Sequence, residues 1–160
     1  MFHILLFGFL SFQFNAFGDD KIVLDEDGFE IVSHSPSRES LDTINSKYIK
    51  NIKSIFSKKC LSCHGTNDSP PWYYSLPIAK QLMDSDMREA KKHMDMSNGF
   101  PFEGHGSPKD DLLALERTVR KNDMPPVEYK ILHWDSELTE EEIKVINSWI
   151  IESLKVLENK

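Results

Sequence analysis

Residues 48–64 read YIKNIKSIFSKKCLSCH. Tyr48, Ile49, Ile52, Ile55 and Phe56 recur at the spacing that puts side chains on one face of a helix, so a helix is expected from Asn45 to about Lys59. That helix runs straight into Cys60-Leu61-Ser62-Cys63-His64, a C-x-x-C-H motif that contains both cysteines of the chain. The motif is a strong signal for attachment of a c-type haem.

The spacing has a chemical reason. Two thiols about one helical turn apart can each add to one of the two porphyrin vinyl groups, giving two thioethers. The next residue, His64, is then held beneath the iron as the proximal ligand. Three rival readings exist. A redox-active C-x-x-C belongs in a thioredoxin-like βαβ setting, which this helical pattern does not offer. A structural zinc site needs four ligands, and there is no second Cys or His pair of suitable spacing. A Cys60–Cys63 disulfide is open to the chain if haem is not loaded, but it leaves His64 as a coincidence.

For the sixth ligand, Met124 opens Met124-Pro125-Pro126 in a segment expected between the third and fourth helices. A thioether is a soft axial ligand that with His raises the haem potential, and paired prolines fix the backbone beside it. The near-helical spacing of Met83, Met87 and Met94 reads as core filling. His133, His105 and His93 are the alternatives, giving a bis-His haem, although each also reads as a surface or loop histidine; His34 sits too far upstream to be favoured.

The remaining pattern is helical. A second helix is expected after Ser75, with Ile78, Leu82, Met83, Met87, Ala90 and Met94 inward and Gly99 past its end. A third is signalled by Ser107-Pro108-Lys109-Asp110, with Ser as N-cap, Pro at the first helical position and Asp in the first turn, ahead of Leu112, Leu115 and Val119. A fourth begins at Thr139, where Thr139 and Glu142 can form a capping box, and carries Ile143, Ile146, Ile150, Leu154 and Leu157. Nothing from Asn45 onward alternates like a sheet strand, so the fold class is all-α, a helical domain around one covalently bound haem.

Residues 1–18 (MFHILLFGFLSFQFNAFG) contain no Asp, Glu, Lys or Arg and end on the small-x-small tripeptide Ala16-Phe17-Gly18. This is the shape of a signal peptide cleaved near Gly18, despite an n-region that lacks Lys or Arg; the other reading is an uncleaved anchor. Export to the periplasm would remove the cysteines from a reducing cytosol. Residues 19–43 are read as an acidic flexible leader with a β-like patch at Phe29–Val32, and residues 44–160 as the haem-binding domain. The chain has 160 residues with 19 Lys and Arg against 26 Asp and Glu, a net charge of −7. That length suits one domain, and the balance argues against nucleic acid and anionic lipid as partners. After signal removal no stretch is long and apolar enough to span a bilayer.

A helix, then C-x-x-C-H, then a Met-Pro loop and a C-terminal amphipathic helix resembles the class I cytochrome c architecture. The closer likeness is to the bacterial haem-binding domain family of exported cytochrome c-like proteins. It rests on Cys60-Leu61-Ser62-Cys63-His64, Pro71-Trp72-Tyr73, Met124-Pro125-Pro126 with Tyr129 and His133 following, Leu138-Thr139 with Glu142, and Trp149 in the last helix. The resemblance covers about Asn45 to Leu157; residues 97–106 (SNGFPFEGHG) and the segment before Ile44 fall outside its pattern. It implies haem c (iron) on Cys60 and Cys63, with His64 proximal and Met124 distal. Two filled axial positions imply outer-sphere electron transfer rather than catalysis, with a redox protein partner that the negative charge would make basic. The alternatives are a haem enzyme or a gas or peroxide sensor with an open distal site, or a haem relay module of a larger oxidoreductase. From the residues themselves, the first and last helices should cross, Trp72, Tyr73, Tyr74 and Trp134 are candidates for the haem wall, and a carbonyl of Pro70 or Pro71 is expected to accept from His64 Nδ1.

Overall fold

The computed structural model describes residues 23–24, 30–31, 35–67, 69–104 and 106–158. The expected signal segment, most of the acidic leader, His34 and His105 lie outside the described residues. The chain divides into Met1–Ser35 and Pro36–Lys160. In the first unit β1 (Val23–Leu24) pairs antiparallel with β2 (Glu30–Ile31), which falls within the β-like patch noted in the sequence.

The second unit is helical. Helix α1 (Arg38–Lys47) continues through one π-helical turn (Tyr48–Ile52) into α2 (Lys53–Lys59). The helix therefore starts within the segment expected to be leader. Ser37 caps it, its side chain accepting from Ser40 N at 3.1 Å, and Glu39 sits in the first turn where the helix dipole favours an acid. Ile44, Tyr48, Ile52 and Phe56 are all fully buried or nearly so. A four-residue spacing drifts about 40° per step around a regular α-helix. The wider π turn counteracts that drift, so the row stays on one face. Ile49, expected on the same face, points outward.

That row packs on the last helix, α7 (Glu140–Glu158), as the two apolar faces require. Thr139 and Glu142 form the expected capping box, with Thr139 Oγ1 accepting from Glu142 N at 3.2 Å and Glu142 Oε2 accepting from Thr139 N at 2.8 Å. Tyr48 lies 5.8 Å from Trp149, and the Trp149 indole donates to the Ile44 carbonyl at 3.4 Å. Lys47 and Glu152 close the crossing with an exposed ion pair at 2.9 Å. Helix α5 (Pro108–Lys121) packs against α7, opened by the Ser107–Asp110 capping box and burying Leu112, Leu115 and Val119.

Two regions depart from the sequence reading. The second helix forms as α4 (Pro77–His93), after the four-residue helix α3 (Leu61–His64) and a 3₁₀ turn at Trp72–Ser75. Yet no α4 residue is fully buried: Ile78 is 83% exposed and Leu82 63%. Nor does Met94 continue the helix. It adopts extended backbone in β3 (Met94–Asp95), paired antiparallel with β4 (Glu103–Gly104). The intervening turn, through Gly99 at φ +82°, drives Phe100 and Phe102 into the core against Trp149 and Tyr48, with centroids 5.8 Å and 5.6 Å apart respectively. Gly104 is required where β4 meets β3: its φ is +134°, and a Cβ there would lie 3.3 Å from Met94 Cα. A short helix unmarked in the sequence reading, α6 (Val127–Leu132), follows Met124. No helix among the described residues is long and apolar enough to cross a membrane.

Candidate functional site

A cavity of about 280 Å³ opens between α3, β3, α5 and the Met124 segment. Cys60, Cys63, His64 and Met124 all line it, so the four residues singled out by the sequence come together in one place. Its remaining wall is largely apolar, with Leu115, Val119, Pro125, Leu138 and Ile146.

The motif is presented by the end of α2. Cys63 N and His64 N both donate to the Cys60 carbonyl, at 3.1 and 2.9 Å, a single helical turn that brings the two thiols to one side. Cys60 and Cys63 are not joined to each other in a disulfide. Burial and the neighbouring Cys63 push the Cys60 thiol up to about 12, and burial likewise raises Cys63. A redox-active C-x-x-C needs the opposite, a thiolate stabilised at neutral pH. Among the described residues no group of three or more His, Cys, Asp or Glu is placed to hold a metal ion by itself.

The His64 ring is oriented from behind. Nδ1 donates to the Met94 carbonyl at 2.8 Å, so the proton sits on Nδ1 and the Nε2 lone pair is left for a metal. The expectation of a Pro70 or Pro71 carbonyl is thereby corrected. The acceptor is held by the β3–β4 ribbon, which a reading of residues 94–106 as helix and loop could not reveal. The same ribbon takes the His64 carbonyl, through Met96 N at 2.7 Å, so the residue is gripped at side chain and backbone.

Met94 and Met96 are buried and also line the cavity, but both belong to the ribbon that grips His64. Met83 and Met87 border a separate small cavity with Cys63, Tyr129 and His133. Met124 comes from a different segment and is 47% exposed. Of the alternative histidines, His133 has both ring nitrogens engaged: Nδ1 with the Tyr129 carbonyl at 3.0 Å and Nε2 with Tyr73 Oη at 2.5 Å. His93 lines the cavity edge, with Nε2 3.6 Å from the Glu89 carboxylate. None of the four aromatic residues expected to wall the haem lines this cavity. Trp72 and Trp134 are exposed, the latter at 92%, and the aromatic lining is Phe56 and Tyr129. Tyr129 had a signal, its five-residue offset from Met124, that was read only as part of a motif.

Taken as donors, two thiols one turn apart, an imidazole with a fixed tautomer and a thioether on an apolar cavity fit an attached haem and its iron. A model of the haem-binding domain family matches residues 29–152. The chain is 33% identical over 95 residues to a protein of Escherichia coli (strain K12) named cytochrome c peroxidase Ccp. That match covers 58% of this chain and 20% of the relative, so the chain spans about a fifth of that protein's length. No solved structure matches.

Proposed function

Because this chain belongs to the haem-binding domain family, we propose that it is a monohaem c-type cytochrome whose haem is anchored on Cys60 and Cys63 and ligated by His64 and Met124. The observation that carries this is the convergence of those four side chains on one apolar cavity, with His64 Nδ1 already committed to a carbonyl. The haem would supply reversible one-electron chemistry at its iron. The chain's own groups do the rest. The Met94 carbonyl fixes the imidazole and raises its basicity, the thioether of Met124 would favour the reduced state, and the apolar wall would limit water at the iron. With His64 and Met124 both holding the iron, the function would be outer-sphere electron transfer.

We place this function in the periplasm, with signal cleavage near Gly18, checked by the N-terminal sequence of the mature protein. A basic redox partner fits the overall charge, but the charge is unevenly spread. Residues 19–35 hold six acids and one lysine, whereas residues 36–160 hold 20 acids and 18 basic residues. Steering by charge would therefore come from the leader, and removing residues 19–35 should abolish the salt dependence of the reaction with that partner.

The deciding experiment is acid-acetone extraction followed by visible spectra of the oxidised and reduced protein. Haem that resists extraction, with a far-red ferric band, supports thioether attachment and methionine ligation. Extractable haem overturns the covalent reading. A second reading is favoured by the half-exposed Met124 and by the peroxidase name of the relative: a haem relay or open-site module within a larger oxidoreductase. A ferric spectrum that is high-spin and shifts at once with cyanide would select it.

A further inference from the structure

Helix α6 follows directly on the segment that presents Met124, and two of its described apolar side chains lie in solvent. Val127 and Ile131 are both more than 60% exposed, and Trp134 just beyond is almost fully so. Polar contacts tie the segment to its surroundings. Lys130 Nζ donates to the Asn122 carbonyl at 3.2 Å, closing the base of the loop that holds Met124. Lys59, next to Cys60, donates to the Asp135 carbonyl. Between these, Tyr73 in the 3₁₀ turn meets His133 at the end of α6.

The Tyr73–His133 pair is set with defined polarity. His133 Nδ1 faces a carbonyl, the Tyr129 oxygen at 3.0 Å, so Nδ1 carries the proton and Nε2 accepts from the Tyr73 hydroxyl at 2.5 Å. The His133 ring also stacks on Tyr129, centroids 3.8 Å apart and planes within 10°. Tyr129 in turn lines the cavity. One imidazole thus joins the turn that follows the C-x-x-C-H motif to the aromatic ring on the cavity wall, and to the helix that begins three residues after Met124.

We infer that Tyr73 and His133 form the latch that keeps the Met124 segment closed over the haem. They are positioning residues that set how often the distal ligand lets go, and so how accessible the iron is to outside ligands. This rests on the proposed ligation by Met124. With Val127, Ile131 and half of Met124 in solvent, loss of one latch hydrogen bond is felt directly in the segment's opening equilibrium.

The test uses the full-length ferric holoprotein and imidazole as the external ligand. At high imidazole the binding rate levels off at the rate of Met124 release, so the plateau reads opening directly. Tyr73→Phe should raise the plateau about two- to tenfold, the range expected for one lost hydrogen bond. The urea midpoint of the helical body and the covalent attachment should stay unchanged. His133→Leu should do the same or more, and it serves if Tyr73→Phe yields no holoprotein. Tyr74→Phe, which removes a 2.6 Å bond to Asp84 on the adjacent side chain, should leave the plateau alone. An unchanged plateau in both Tyr73→Phe and His133→Leu overturns the latch, as does an equal rise in Tyr74→Phe. A wild-type protein without a far-red band removes the Met124 ligation, and the latch with it; the band distinguishes that failure from failure of the latch alone.

Discussion

The two sides of the cavity are built in different ways. On the His64 side, side chains from α1, α2, α7 and the β3–β4 turn interlock, with Tyr48, Phe56, Phe100, Phe102 and Trp149 forming one aromatic cluster at centroid distances of 5.4–6.5 Å. On the Met124 side, a six-residue helix with Val127 and Ile131 exposed is tied by hydrogen bonds to the Tyr73 turn and the Asn122 carbonyl. The first construction resists deformation because interiors are close-packed and every neighbour is committed. The second can open at the cost of a few hydrogen bonds while the core stays intact. A site assembled this way would give the proposed haem a fixed ligand in His64 and a releasable one in Met124.

The comparison is most sharply tested at Trp149. Its indole touches the aromatic cluster and bonds to the Ile44 carbonyl, so Trp149→Ala empties the centre of the rigid side. The expected loss is about 3–5 kcal/mol, a large share of the stability of a domain this size. Chemical denaturation should show it, and a loss below about 1 kcal/mol would mean that the packed side is not the stabilising one. Met124→Ala should behave in the opposite way. The denaturation midpoint should hardly move, while the far-red band disappears, the reduction potential falls and cyanide binds without a lag. A fall in stability as large as that of Trp149→Ala would erase the distinction between the two sides.

A smaller effect is expected at Asp95, in the ribbon that grips His64. Burial disfavours its charge, but hydrogen bonds from Ser97 Oγ and Ser97 N, helped by Lys91, outweigh this and hold the carboxyl below its ordinary value of 3.8. A folded-state pKa below the unfolded one gives stability that is present above about pH 4 and lost as pH falls through the lowered value. Asp95→Asn should therefore flatten the acid limb of the stability profile below pH 4 and lower stability modestly at neutral pH. An acid limb identical to wild type would show that the ribbon does not depend on this charge.

The rigid side was the more legible in sequence. Tyr48, Ile52, Phe56, Ile146 and Ile150 repeat at helical spacing, and the Ser107 and Thr139 caps announce their helices because local hydrogen bonds specify them. The C-x-x-C-H motif was readable for the same reason: its geometry is contained within one turn. What was not legible depended on contacts distant in sequence. The His64 acceptor lies thirty residues away, on a two-residue strand too short to show a period. Phe100 and Phe102 alternate around one proline, a pattern too brief to separate a core insertion from a loop. On the other side, the chemistry of Trp72 and Trp134 suits a haem wall, but both indoles are exposed and neither lines the cavity.

The smallest effect expected is at α4, where the sequence and the structure disagree most. Its row Ile78 and Leu82 has the spacing of a buried face, but the helix contacts its neighbours through Met83, Met87 and Ala90, each half-buried, and leaves the row in solvent. A side chain that is already exposed gives up no burial when it is shortened or made polar. Ile78→Ser should thus change the stability of the holoprotein by no more than about 0.5 kcal/mol, the usual range for a surface position. Leu82→Ser should do the same, and the two changes should add, because neither removes a shared partner. A loss of about 2 kcal/mol or more for either change, measured by urea denaturation of the haem-loaded chain, would show that this row is covered in the holoprotein. The lightly packed region would then end at α6 rather than extend along α4.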